Sequence, residues 1–261
     1  MIAPARSVGD AWWTPMRRTP SATRCLFCFP YAGGNASLFR AWPAGLPTDL
    51  QIYALQLPGR ASRIAEPPLT SLPLLVDRIG EACLASARGL PYAFFGHSLG
   101  AVLSFEVARW MRRRGSALPW QLVVAGRRAP DCPQYLPPTH QMTDADLIES
   151  LARMDGTSPD VLRDAELMQI MLPTLRADFG LAEGYTYVTE PPLACGITVI
   201  GGQDDPESQE GRLEGWQTQT SGRFDCHLLD GGHFFIRTME RELLALLALA
   251  LTGLSQPAVT S

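Results

Sequence analysis

Apolar residues in this chain fall in short, nearly unbroken runs separated by turn residues. Five of them are Arg24–Phe29 (RCLFCF), Gln51–Leu57 (QIYALQL), Ala93–His97 (AFFGH), Gln121–Gly126 (QLVVAG) and Ile197–Gly202 (ITVIGG). Strands buried on both faces read this way, because neither face meets water and no polar alternation is needed. Between the runs the period becomes helical. Residues 72–88 place Leu72, Leu75, Val76, Ile79 and Cys83 on one stripe, and a helix over 98–114 follows the third run directly. The segment DCHLLDG, from Asp225, reads as a last strand, and LLALLALALTGL near the C-terminus as a buried helix end. Strands alternating with helices predict an α/β fold, a mostly parallel central sheet flanked by helices.

One stretch breaks the alternation. From about Asp131 to Tyr187 no strand is predicted; there are instead helical pieces, with Leu147, Leu151 and Met154 on one face of the first, then 165–172, then 175–185. An insertion this long and helical between two strands is expected to form a lid over the sheet edge. The first 20 residues are Pro-rich and are expected to form an arm. With no internal repeat, residues 1–261 are expected to form a single domain.

Composition narrows the partners. A net charge of −4, with 18% charged residues, gives no reason to expect nucleic-acid binding. All 22 positive residues are Arg, which is read as a composition effect. Residues 1–18 lack the apolar core of a secretory signal, and no apolar run reaches the roughly 18 residues of a membrane span. A cytoplasmic protein without a membrane partner is expected. Cys25 and Cys28 form a CxxC, but in a strand a separation of three puts the two thiols on opposite faces, and no second CxxC completes a zinc site. Buried free thiols and no metal are therefore expected.

The candidate chemistry begins at Gly96-His97-Ser98-Leu99-Gly100. The G-x-S-x-G pattern alone is short enough to occur by chance. Here it follows an apolar strand and opens a helix, the setting of a nucleophile elbow, in which the glycines permit a sharp turn that presents the Ser at the helix N-terminus. Free N–H groups and partial positive charge lie there, where an oxyanion would form. The competing reading is a plain turn with Ser98 as a helix cap.

A serine nucleophile needs a base and an acid that orients it. Of the four histidines, His97 adjoins Ser98 but is expected to point away, His140 falls in the lid, and His227 lies in the last strand. His233 sits on the Gly231-Gly232 loop after that strand and is the preferred base, with His227 second. For the acid, ITVIGG is followed by Gln203-Asp204-Asp205-Pro206. Asp205 stands three residues after the strand-ending Gly202 and is preferred over Asp204, which reads as a solvated loop residue. Asp131 is a third candidate, but its strand ends in Gly126-Arg127-Arg128 with no carboxylate at the tip. Ser98, Asp205, His233 is the chain order of α/β-hydrolases. The oxyanion hole needs the N–H after the nucleophile, Leu99, and one from the Pro30-Tyr31-Ala32-Gly33-Gly34 loop, with Ala32 preferred and Tyr31 close behind.

Further segments carry a resemblance: FPYAGG (Phe29–Gly34), LPGR (Leu57–Arg60) with Arg63 and Glu66, FGHSLGA (Phe95–Ala101) with FEVAR (Phe105–Arg109), GRRAP (Gly126–Pro130), LPTLRAD (Leu172–Asp178) and GGHFF (Gly231–Phe235). Together, in order over about residues 24–245, they resemble the type II thioesterases, the stand-alone editing enzymes of polyketide and nonribosomal peptide synthetases. Departures are Leu99, where the family often has Met, and Gly196, which interrupts a PLxCP pattern. The resemblance implies the α/β-hydrolase fold and hydrolysis of acyl thioesters from the phosphopantetheine arm of carrier proteins, with no cofactor beyond the arm the substrate carries. It places the acid on the Asp before Pro, in agreement with Asp205. The missing acid after GRR argues for the discrete editing class over offloading enzymes fused to synthetases. The residues alone also fit a carboxylesterase or lipase, an acyl-CoA thioesterase, or a non-catalytic carrier-binding module. The lid is expected to open and close, Arg127 and Arg128 to meet an acidic carrier protein, and Arg112, Arg113 and Arg114 to be solvated.

Overall fold

Each apolar run, and the DCHLLDG segment, forms a strand. The structure, a computed structural model, describes residues 11–133, 138–154, 156–209 and 211–252. Strands β1 (Trp13–Pro15), β2 (Arg24–Phe29), β3 (Leu50–Leu55), β4 (Tyr92–His97), β5 (Gln121–Ala125), β6 (Gly196–Gly202) and β7 (Phe224–Leu229) make one sheet in the order β1-β3-β2-β4-β5-β6-β7. All neighbours are parallel except β1, which pairs antiparallel with β3, Trp13 opposite Leu55.

That edge strand corrects the expectation of a plain arm. Trp13 is buried, with its ring 4.6 Å from Phe27 and 5.3 Å from Phe29. Pro15 is tolerated because an edge strand need not donate on its outer side. Residues 1–10 of the expected arm lie outside the described residues.

Alternate residues of the strands feed two cores. Cys25, Phe27 and Phe29 join one layer with helices α1 (Leu72–Ala87) and α2 (Leu99–Arg113). Leu26 and Cys28 join the other, with Phe39, Trp42 and Leu243, Leu244 and Leu247. The CxxC thiols do lie on opposite faces, free and buried, and burial pushes the Cys25 thiol up to about 11. Helix α1 starts where Ser71 Oγ accepts the Leu74 N–H at 3.4 Å and stops where Arg88 and Gly89 turn to positive φ. The arginines ending α2 are not simply solvated: Arg112 and Arg113 pair with Glu190, and Arg114 with Asp77 at 2.8 Å.

Between β5 and β6 lie α3 (Asp144–Met154), α4 (Pro159–Arg163) and α5 (Ala165–Glu183), with a small core of their own built on Leu147, Leu151, Met168, Leu172 and Leu175. The two helical pieces expected over 165–185 are one helix, with Pro173 inside it. Pro173 removes the N–H that Gln169 C=O would accept, on an exposed residue of the helix. Residues 134–137 and 155 of the expected lid lie outside the described residues. The described residues close with α6 (Phe235–Thr238) and α7 (Glu240–Ala250), whose Leu243, Leu244 and Leu247 fill the second core; residues 253 and 254 of LLALLALALTGL lie outside the described residues. Among the described residues, no helix is long and apolar enough to cross a membrane.

Candidate active site

Ser98 stands between β4 and α2 with φ 55° and ψ −113°, a conformation that costs a non-glycine residue of order 1–3 kcal/mol and persists only where the surroundings enforce it. The surroundings are close-packed backbone. A Cβ on Gly96 would lie 2.2 Å from Gly100 O, and one on Gly100 2.1 Å from Phe29 O, so both positions require glycine. The Ser98 N–H donates to Ala125 O at 2.8 Å, tying the turn to β5. Its side chain makes no capping hydrogen bond, which removes the helix-cap reading.

The carboxylate and the imidazole expected to act as acid and base lie in contact. His233 Nδ1 lies 2.9 Å from Asp205 Oδ2, and Asp205 is 1% exposed. Asp205 Oδ1 accepts the Glu207 N–H at 3.0 Å, so both carboxylate oxygens are fixed. The turn after β6 and the loop after β7 touch directly: Gln203 N–H donates to Leu229 O at 2.8 Å and Asp204 N–H to Gly231 O at 3.0 Å. A Cβ on Gly202 would lie 2.5 Å from Gly231 O, which is why glycine ends β6. Asp204 and Asp131 are exposed.

The other histidines are occupied elsewhere. His140 Nδ1 contacts Glu183 at 2.5 Å, joining the start of the insertion to the end of α5. His227 lies in β7 opposite Ile200. His97 does not point away from the site: it is fully buried, its ring 5.2 Å from that of His233 and 5.3 Å from that of Phe235. No hydrogen bond of ordinary geometry reaches either of its ring nitrogens. Burial, and then the charge of His233, hold its pKa well below the usual imidazole value, against a smaller opposing effect of the His233 main chain.

Two loop amides after β2 are already engaged. Gly33 N–H donates to Asp178 Oδ2 at 2.7 Å and Gly34 N–H to Tyr31 O at 2.9 Å, which leaves Tyr31 and Ala32 as the available donors of that stretch. Asp178 also accepts from Arg60 at 2.5 and 2.8 Å. Nothing in the periodicity pairs residues 118 apart. A signal was nonetheless present: Asp178 falls on the apolar stripe of Leu175, Leu181 and Ala182, where a lone carboxylate needs a buried partner.

Ser98 and His233 line a cavity of about 470 Å³ roofed by the insertion, with Leu151, Met154, Val161, Leu167, Met171 and Phe179 on its walls. The roof rests on the residues that follow His233. A Cβ on Gly156 would strike the Phe234 ring at 2.1 Å, and Arg237 Nη1 donates to Gly156 O at 3.2 Å. Arg127 and Arg128, expected to meet a partner, turn inward instead. Arg128 Nη1 donates to Glu207 Oε1 at 2.6 Å and Arg127 Nη2 to Ala182 O at 2.9 Å, with side chains 6% and 11% exposed. Gly126, at φ 57°, turns the chain so that both arginines brace the acid-bearing turn and α5.

A strained serine at the strand–helix turn, an aspartate-bound histidine and a roofed apolar chamber are what acyl transfer requires. The family model described as thioesterase domain matches residues 24–248. The chain belongs to the thioesterase family. This thioesterase has the α/β-hydrolase fold, and is 39% identical over 235 residues to the gramicidin S biosynthesis protein GrsT of Aneurinibacillus migulanus, covering 90% of this chain and 91% of that one. It is 38% identical to a protein of Brevibacillus parabrevis named linear gramicidin dehydrogenase LgrE, over 94% of this chain and 92% of the relative. Among solved structures, the type II thioesterase BorB from the borrelidin biosynthetic cluster superposes with a TM-score of 0.84 at 34% identity, over 93% of this chain and 98% of that one.

Proposed function

We propose that this thioesterase removes acyl groups from the phosphopantetheine arm of carrier-protein domains of a polyketide or nonribosomal peptide synthetase, through an acyl-enzyme on Ser98. The observation that carries the proposal is the Asp205–His233 bond at 2.9 Å beside a serine held at positive φ in the same cavity. Asp205 accepts the Nδ1 proton of His233, which leaves Nε2 to take the Ser98 proton. Ser98 Oγ adds to the thioester carbonyl, and the oxyanion is met by the Leu99 and Ala32 N–H groups. The C–S bond then breaks, and the pantetheine thiolate leaves with the proton from His233. Water, deprotonated by His233, attacks the acyl-enzyme and frees the acid and Ser98. No cofactor takes part, since the pantetheine belongs to the substrate. The pathways named for GrsT and BorB support the carrier-bound substrate. Six cysteines, all free, suit a reducing cytoplasm.

The test compares release of one acyl group from a loaded carrier protein, from coenzyme A and from a matched oxygen ester. The carrier thioester is expected to show the highest kcat/KM, and Ser98→Ala to lower it by about 10³ or more. Wild-type rates in Ser98→Ala would end the serine mechanism. A preference for the coenzyme A thioester or the oxygen ester would replace the carrier reading with an acyl-CoA thioesterase or an esterase.

A further inference from the structure

We infer that the buried Arg60–Asp178 pair is a positioning device for the oxyanion loop, acting through the Gly33 peptide; this rests on the serine-hydrolase reading above. The pair is bidentate, with side chains 7% and 2% exposed. Asp178 Oδ2 also accepts the Gly33 N–H at 2.7 Å, and Arg60 Nη1 reaches Gly34 O at 3.2 Å. One carboxylate on α5 and one guanidinium in the loop after β3 therefore grip the 32–33 and 34–35 peptide groups of the 31–36 loop. Gln56 adds a third hold: its Oε1 accepts the Ala36 N–H at 3.2 Å, and its Nε2 donates to Arg60 O at 3.2 Å. From the same face of α5, Thr174 Oγ1 donates to Gly59 O at 2.8 Å.

A stability role accounts poorly for this arrangement. Burying two charges costs about as much as their attraction returns, and a well-packed apolar pair usually serves a fold at least as well. What an apolar pair cannot do is orient an amide. Gly33 N–H belongs to the peptide that carries the Ala32 carbonyl, so a fixed acceptor at Asp178 sets that plane and turns the Ala32 carbonyl to the opposite side. The Ala32 N–H is one residue away across a single φ, ψ pair. Gly33 itself sits at φ 76°, and a Cβ there would lie 2.6 Å from the Leu175 side chain, so the loop packs closely against α5. Without the carboxylate the glycine peptide is free to rotate, and the donor loses its aim.

The experiment compares wild type with Asp178→Leu, which removes the acceptor of the Gly33 N–H, and with the double variant Arg60→Met/Asp178→Leu, whose apolar pair keeps the volume filled. Three readouts are used: kcat and KM on an acyl thioester, affinity for a trifluoromethyl ketone that Ser98 adds to, and affinity for an unreactive thioether of the same chain. Folding is checked by thermal melting. Both variants are expected to lose about 10- to 100-fold in kcat, with KM within about threefold. Ketone affinity is expected to fall by the same factor while thioether affinity holds. A folded variant with kcat and ketone affinity within about twofold of wild type would overturn the inference, even if Tm falls. If Asp178→Leu fails to fold, the double variant decides by the same criteria. Failure of the underlying reading looks different, because wild type itself would then be inactive on thioesters or insensitive to Ser98→Ala.

Discussion

His97 gives a test of the site's electrostatics that needs no substrate. In the folded chain its imidazole is neutral, with a pKa held well below 6.5 first by burial and then by the charge of His233. In the unfolded chain it returns to the ordinary value near 6.5. The folded pKa is the lower of the two, so the unfolded chain binds the extra proton. The stability is complete above that value and is lost as pH falls below it toward the folded pKa. The loss from about pH 7.5 to about pH 5.5 comes to about 1.4 kcal/mol. Of the groups facing His97, Tyr31 stays neutral in this range because burial raises its pKa, with Arg237 opposing, and Phe235 does not titrate. His97→Phe keeps a ring against Phe235 and removes the proton site. Urea unfolding of both proteins across that range isolates the effect, since His140, His227 and His233 are common to both. The stability difference, wild type minus variant, should fall by about 1.4 kcal/mol toward acid. A difference that stays constant would show that folded His97 takes its proton as readily as unfolded His97, and would refute the reasoning.

Gly100→Ala should destabilise the fold by about 1–3 kcal/mol despite alanine's better helix propensity, because the new Cβ would meet the Phe29 carbonyl at 2.1 Å, where only backbone can give way; a melting temperature equal to or above wild type would contradict this. Within the insertion, hydrogen exchange should divide α5: Thr174–Glu183, held through Thr174, Asp178 and Glu183, should be protected like the sheet, while α3 and α4 should exchange faster. Uniform exchange over the whole insertion would favour a rigid cap, or a lid that moves as one body.

The sheet was legible because burial on both faces leaves a plain mark, unbroken apolar runs such as ITVIGG. The edge strand was not, since three residues containing a proline carry no such mark, and Trp13 is held by Phe27 and Phe29 from β2. That Asp205 and His233 come together was legible because sites at a parallel sheet draw on strand ends, and each follows its strand by a few residues. His97 was misjudged because adjacency along the chain says little about direction at a turn with φ 55°. The arginines after β5 were misjudged for a related reason. Gly126 turns them inward toward Glu207, a carboxylate 79 residues away that no local pattern connects to them.

The family segments acquire a physical meaning once they are placed together. FPYAGG, LPGR and LPTLRAD are far apart in the chain, yet Gly33, Arg60 and Asp178 meet within hydrogen-bond distance. GRRAP reaches the acid turn through Arg128 and Glu207, and GGHFF supplies both His233 and the Phe234 ring on which Gly156 rests. These segments do not line the acyl cavity alone; several of them fix the position of something that does. The cavity is lined both by these segments, through Tyr31–Gly34, Ser98, Leu175, His233 and Phe234, and by Leu151, Met154, Val161, Leu167 and Met171 of α3, α4 and the first half of α5, which stand outside them. On the proposed function, the wall residues outside the segments can set acyl preference apart from the chemistry. A change in acyl preference can then arise by substitution at Val161, Leu167 or Met171 without moving the serine, the histidine or the loop that Arg60 and Asp178 hold.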